Sequence, residues 1–180
     1  MTDLLMKLFI KSSKQFLKSE TDLIMSGVSE RCLCGAFMLI IRKYLDEFNF
    51  KNYYSDIEYN RNFDRQIKTI IDDNSQIINI TCDLIIHSRG QIPKLDNLIA
   101  IEMKRDNSPE TEKNRDRVRL KALTKLTNYT NTYSVDGREL PKHVCGYLLG
   151  VFYEISLNNR NIKIEYYSEG KLYKEYLRKF

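Results

Sequence analysis

The stretch "NLIAIEMKRD", residues 97–106, begins as a buried strand and then turns charged. Side chains two apart on a strand share a face, so Glu102 and Lys104 project together while Ile101 and Met103 point to the other side. Alternating Glu and Lys is also common on a solvated strand face. Taken alone, the stretch leaves two interpretations open, a solvated ion pair and two polar groups that a reaction needs side by side.

Size and composition favour one domain, residues 1–180, since single domains commonly run to ~100–200 residues. A hydrophobic content of 42% is enough for a core, and 29 basic against 24 acidic residues leave a net charge of +5 that favours a polyanionic partner. No apolar run approaches the roughly 18–20 residues needed to cross a bilayer, so no membrane association is expected.

Four cysteines lack any framework spacing and are expected to be free, mostly buried thiols in a reducing cytoplasm. The N-terminus carries Lys7, Lys11 and Lys14 and lacks an h-region with a small-residue cleavage site. We therefore expect a cytoplasmic protein.

Apolar periodicity predicts the order of elements. Helices are expected over 3–18 and 29–46 and within 117–130, after a polar segment at 105–117. Strands are expected over 53–61, 77–87, 97–104 and 143–155, with a C-terminal hairpin that turns at Ser168–Gly170. The fold class is thus α/β, with helices around a mixed sheet. The first helix could be a homodimer contact or a cover for the sheet.

Asp83 lies inside the apolar run "ITCDLIIH", where an unpaired carboxylate is costly to bury. Antiparallel pairing of 77–87 with 97–104 places Asp83 nearly opposite Glu102. Two carboxylates a few ångströms apart repel, and a shared proton or a divalent cation relieves the repulsion. Lys104 could offset the charge as an ion pair or position a water beside a metal.

Two further groups complete the candidate set. Glu30 falls on the apolar stripe of the second helix, where it either joins the other carboxylates or complements the helix dipole. On the later helix, Lys121 and Arg117 either face a phosphate backbone or belong to a solvated helix face.

These motifs occur in an order that resembles the PD-(D/E)xK nuclease superfamily, whose core is αβββαβ. Asp83 and Glu102-Met103-Lys104 match its signature, with Cys82 where the superfamily name has Pro, and Glu30 matches a frequent Glu on the first core helix. The match extends to small bacterial members through "EYNR" (58–61), "CDLIIHSRG" (82–90), "IEMK" (101–104) and "RLKALT" (119–124). The resemblance implies a restriction-endonuclease-like core over about 29–155, with an extra N-terminal helix and a C-terminal hairpin.

The resemblance also implies a function, a metal-dependent nuclease that hydrolyses phosphodiester bonds, with DNA as the expected substrate. Asp83, Glu102 and the carbonyl of Met103 would hold Mg²⁺ or Mn²⁺, and Glu30 would contribute to a second metal site or bind through water. Lys104 would orient the attacking water.

Lys121, Arg61 and Arg117 would bind the nucleic-acid backbone. Two alternatives stay open: a catalytically inactive module of the same fold that binds nucleic acid or a protein partner, and an interaction protein with no nucleic-acid role.

Overall fold

The computed structural model describes residues 1–60, 69–71, 77–79, 81–125, 132–135, 138–141 and 145–180. The helices are α1 (Thr2–Ser19), α2 (Thr21–Met25), α3 (Glu30–Glu47) and α4 (Glu110–Leu123), and a 3-10 turn lies at Pro93–Leu95. The strands are β1 (Tyr54–Ile57), β2 (Thr69–Ile71), β3 (Ile77–Asn79), β4 (Leu84–His87), β5 (Asn97–Arg105), β6 (Thr132–Val135), β7 (Arg138–Pro141), β8 (Leu149–Ser156), β9 (Asn161–Ser168) and β10 (Lys171–Lys179).

A six-stranded mixed sheet organises the chain, with strand order β1-β4-β5-β8-β9-β10. All neighbours are antiparallel except β5 and β8, which run parallel with Ile101 opposite Val151. Parallel strands need a long crossover connection, and α4 lies in the segment that links this pair. The α/β class with helices flanking a mixed sheet is therefore confirmed.

The two faces of the sheet are covered by different helices. On one face, α1 and α3 bury an aromatic cluster with Phe9, Phe37 and Tyr153 at its centre. On the other face, Leu120 and Leu123 of α4 pack over the sheet. The expectation that the first helix covers the sheet is confirmed, while the homodimer contact stays a prediction.

The close packing of α4 on β8 depends on one small residue. A Cβ atom on Gly150 would lie 3.1 Å from Thr124 Cγ2 and 3.2 Å from Tyr167 Cβ. Both distances are shorter than ordinary van der Waals contact, so a larger residue would push the helix away from the sheet. Gly150 thus fixes the distance between α4 and the sheet.

Four predicted elements differ from the observed ones. The predicted strand over 77–87 is two strands, because β3 pairs with β2 while β4 joins the main sheet after a bend at Asp83. The predicted strand over 143–155 starts only at Leu149, because Gly146 adopts a positive φ of 76° that breaks the extended backbone.

The predicted strand over 53–61 ends at Ile57, and Arg61 lies outside the described residues. The last predicted helix corresponds to α4. It begins at Glu110, inside the segment 105–117 that was expected to be a polar connection. Its first turn carries Glu110 and Glu112, whose charges suit a helix N-terminus.

Candidate functional site

Asp83 and Glu102 are neighbours across the β4–β5 pair. The register places Leu84 opposite Ile101, so the next position along puts Asp83 across from Glu102, as predicted from the sequence. Asp83 Oδ2 accepts a hydrogen bond of 2.7 Å from the amide of Met103. Because the N–H and C=O of one strand residue point to the same side, the carbonyl of Met103 is also directed towards Asp83.

Glu102 is almost completely buried, with 1% of its side chain exposed. It projects towards α4, where Arg119 Nη1 donates a 2.6 Å hydrogen bond to its Oε1. Burial, followed by repulsion from Asp83, raises the pKa of Glu102 to about 8 although Arg119 lowers it. Glu102 therefore does not belong to a solvated strand face.

Lys104 lies between two carboxylates. Its Nζ donates to Glu30 Oε2 at 3.2 Å and is 3.5 Å from Asp116 Oδ2. Burial alone would lower the pKa of Lys104, but Asp116, Asp83 and Glu30 together raise it above its ordinary value. The ammonium is therefore held charged and in a fixed place at the end of β5.

Glu30 begins α3, after Ser29 whose Oγ accepts the amide of Cys32 at 3.3 Å. Its Oε1 accepts a 2.9 Å hydrogen bond from the amide of Arg105, so the start of the helix is fastened to the end of β5. The position suits the helix dipole and also brings the carboxylate to Lys104. The two interpretations offered for Glu30 are compatible.

Asp116 and Arg119 complete the acidic and basic cluster from α4. Arg119 Nη1 lies 3.2 Å from Asp116 Oδ1, three residues earlier on the same helix. The residues predicted to act from this helix were Lys121 and Arg117, and the sequence patterns assigned no role to Asp116 or Arg119. Their i, i+3 spacing, next to the buried Leu120, was the signal that could have placed them on the side facing the sheet.

The cluster is rich in carboxylate oxygen. Glu30, Asp83, Glu102 and Asp116 gather around Lys104 and Arg119, and burial raises the pKa of Asp83 and of Asp116 as well as that of Glu102. Oxygen ligands suit Mg²⁺ or Mn²⁺, and a cation would relieve the repulsion between the buried carboxylates. The donor set therefore fits a hard divalent ion.

The carboxylates do not, however, form a ready metal cage. Among the described residues, no group of three or more His, Cys, Asp and Glu side chains is arranged to hold a metal ion. Glu102 accepts a hydrogen bond from Arg119, and Asp83 accepts one from the amide of Met103. A cation would therefore have to compete with these donors for the carboxylate oxygens.

Arg117 lies away from this cluster. Its Nε and Nη2 donate to Glu165 at 3.0 and 3.2 Å, and its guanidinium lies over the Phe152 ring, 4.5 Å from the centroid. Hydrogen bonds from Arg117, Lys163 and Tyr167 hold the pKa of Glu165 well below its usual range, although burial opposes this. Arg117 thus fastens α4 to β9.

The other two predicted backbone-binding residues are Lys121 and Arg61. Lys121 is half-buried near the C-terminal end of α4, where the helix meets the β9–β10 turn at Gly170. Arg61 falls outside the described residues, but Glu58 of the same "EYNR" motif donates its amide to the carbonyl of Asp83 at 3.3 Å.

All four cysteines are present as thiols, as expected. Cys34 and Cys82 are buried, Cys145 is half-buried and Cys32 is exposed, so the expectation of mostly buried thiols holds for part of the set. Cys34 Sγ lies 3.9 Å from the sulfur of Met103, beneath the site.

No helix in the described part of the chain combines the length and apolar character needed to span a membrane. No protein-family model, curated protein or solved structure matches the chain.

Proposed function

We propose that this chain is a metal-dependent nuclease of the PD-(D/E)xK type, with a restriction-endonuclease-like core, that hydrolyses phosphodiester bonds of DNA. One observation carries the proposal: Asp83, Glu102, Lys104 and Glu30, chosen from sequence motifs alone, come together at one end of β5. An ion pair on a solvated strand would not require the burial of Glu102 or a second carboxylate opposite it.

The arrangement of elements supports the same proposal. A helix precedes β1, β4 and β5, which pair antiparallel in that order, and β8 then pairs parallel with β5 after α4. This order agrees with the αβββαβ core that the resemblance implies, while β2–β3 and β6–β7 form two separate two-stranded sheets.

Different residues of the site would hold the metal and orient the attacking water. Asp83, Glu102 and the Met103 carbonyl would hold Mg²⁺ or Mn²⁺, with Glu30 contributing to a second site or through water. A bound divalent ion supplies Lewis-acid polarisation of the scissile phosphate and a better water nucleophile. Lys104, fixed by Glu30 and Asp116, would orient that water with its ammonium protons and stabilise charge on the phosphate oxygens.

Lys121 and Arg61 would bind the phosphate backbone of the DNA. Arg117 is a weaker candidate for this role, because Glu165 and Glu110 already hold its guanidinium. Contacts with phosphates would make DNA binding salt-dependent.

A cleavage assay tests the proposal. Purified protein is incubated with supercoiled plasmid and with single-stranded DNA in Mg²⁺, in Mn²⁺ and in EDTA. Cleavage in either metal that EDTA abolishes is the expected result. The absence of cleavage in both metals on both substrates would overturn the assignment as a nuclease.

A second candidate function is a metal-free binding module for nucleic acid or for a protein partner. The ion pair between Glu102 and Arg119 favours it, because that pair neutralises the buried carboxylate without a cation. Salt-dependent DNA binding that is unaffected by EDTA, without cleavage, would identify such a module. The absence of DNA binding at low salt would leave the protein-partner form.

A further inference from the structure

Arg119 occupies a distinctive place in the site. Its Nη1 donates to Glu102 Oε1 at 2.6 Å and also lies 3.2 Å from Asp116 Oδ1. Glu102 is 1% exposed in its side chain, whereas Arg119 is 28% exposed. The guanidinium therefore lies on the open side of a buried carboxylate, with a second carboxylate beside it.

A buried carboxylate needs a counter-ion, because removing the charge from water is otherwise costly. Arg119 is the cation that the structure places in contact with Glu102. A divalent ion bound to the same carboxylate would repel this guanidinium at short range. Asp116 is on the same helix turn, so it would keep Arg119 within the site after the contact with Glu102 is lost.

We propose that Arg119 is the counter-ion of Glu102 in the metal-free protein and becomes a phosphate-binding group of the site once a divalent cation takes Glu102. This role rests on the proposed nuclease function. A guanidinium presents planar pairs of N–H donors that match two phosphate oxygens, which an ammonium cannot do. Arg119 thus serves both states of the site, and its contact with Glu102 sets how readily a metal enters.

The first part of the test measures metal binding without DNA. Isothermal titration calorimetry with Mn²⁺ at pH 8 compares wild type with Arg119→Gln. Loss of the competing charge is expected to tighten Mn²⁺ binding by about fivefold or more. Arg115→Gln is the matched control, because Arg115 is exposed on the same helix, and it should leave the affinity unchanged.

The second part measures DNA binding in Ca²⁺, which also takes oxygen ligands. Fluorescence anisotropy measures binding of a labelled duplex of about 25 base pairs, a length that covers one domain. A denaturing gel checks that the duplex stays intact. Arg119→Gln is expected to weaken DNA binding by about tenfold. A merely structural arginine would weaken metal and DNA binding together, so opposite changes in one variant are the signature of this role.

The outcomes separate this role from the proposed function. If wild type binds Mn²⁺ but Arg119→Gln binds it no more tightly, or binds DNA as well as wild type, the role of Arg119 is wrong and the nuclease proposal stands. If wild type neither binds Mn²⁺ nor cleaves DNA, both proposals fall.

Arg119→Lys covers the case in which the glutamine variant does not fold. It keeps the charge, so its Mn²⁺ affinity should stay within about threefold of wild type. It loses the planar donor pair, so DNA binding should still weaken. Wild-type DNA binding by a folded lysine variant would overturn the phosphate-binding role.

Discussion

The carboxylate of Asp83 accepts the amide N–H of Met103 at 2.7 Å, which ties the residue before β4 to the middle residue of the "EMK" motif. One side chain therefore fixes the backbone beside Glu102 and also offers oxygen to the space between the strands. A change at Asp83 affects both the fold and the proposed metal site, and two substitutions can separate these effects.

Asp83→Asn keeps an oxygen that can accept the Met103 amide, whereas Asp83→Ala leaves that amide unpaired. We expect the alanine variant to lose about 1–3 kcal/mol of unfolding free energy and the asparagine variant to lose less than about 1 kcal/mol. Both should lose metal-dependent cleavage. Urea unfolding followed by circular dichroism gives the free energies. Equal loss of stability in the two variants would contradict the importance of this hydrogen bond.

Glu102→Ala and Lys104→Ala should abolish cleavage, with a loss of about 100-fold or more, because each removes a group that acts on the reacting atoms. Circular dichroism should show a folded protein in both cases. Glu112→Gln and Lys51→Ala are matched controls, since both residues are exposed and lie outside the cluster. Cleavage by either site variant at the wild-type rate would show that the mechanism is wrong.

Stability should fall with rising pH in the metal-free protein. The folded protein raises the pKa of Glu102 from 4.5 to about 8, so it retains a proton that the unfolded chain releases in this range. The unfolded state then binds fewer protons, and the unfolding free energy decreases from about pH 5 to pH 8.

Glu102→Gln removes this titration and should flatten the decrease. Urea midpoints in EDTA at about pH 5.5 and about pH 8.5, which span most of the interval between the unfolded and folded pKa values, measure the effect. Glu112→Gln should behave as wild type. A raised pKa of Glu102 is contradicted if Glu102→Gln loses as much stability as wild type over the same interval.

Arg117 and Lys121 should separate stability from DNA binding. Arg117→Ala removes the hydrogen bonds to the buried Glu165 and should cost about 2–3 kcal/mol of unfolding free energy. Lys121→Ala should change stability by less than about 0.5 kcal/mol. It should reduce the slope of log affinity against log salt by about 1 if Lys121 contacts a phosphate. If Arg117→Ala keeps wild-type stability and reduces the slope of log affinity against log salt, Arg117 binds DNA and its structural role is wrong.

Gly150→Ala should disturb the site from a distance. The added methyl group would crowd Thr124 and Tyr167, and we expect a loss of about 1–3 kcal/mol together with reduced cleavage, because α4 carries Asp116 and Arg119. Gly35→Ala is the matched control, since its nearest neighbour would be 3.8 Å away and alanine favours a helix. Unchanged stability in Gly150→Ala would show that α4 can move without cost.

The parts of the fold that were predicted correctly follow from local periodicity. Helices α1 and α3 have apolar stripes, β5 has a buried face, and the loop between β4 and β5 contains Gly90 and Pro93, which mark the turn of a hairpin. Because that loop sets the register, the placement of Asp83 opposite Glu102 could be obtained by counting residues.

The parts that were missed depend on tertiary contacts. The first half of α4 has no clear apolar stripe, because the side facing the sheet carries the buried Lys113 and Asp116 and the half-buried Arg117, each in an ion pair with a residue of the sheet. The pairing of Arg119 with Glu102 depends on how α4 is rotated over the sheet. Spacing within α4 shows which residues share a face of the helix, but it does not show which residue of β5 that face contacts.

The parallel pairing of β5 with β8 also affects the order in which the site forms during folding. Glu102 lies on the central strand, but its partner Arg119 is set in place only when α4 crosses over and β8 docks beside β5. Such non-local pairing forms slowly compared with a hairpin. A nascent chain that has formed only its β4–β5 hairpin therefore carries the acidic residues without the finished site, and any activity would begin only once the second half of the sheet is in place.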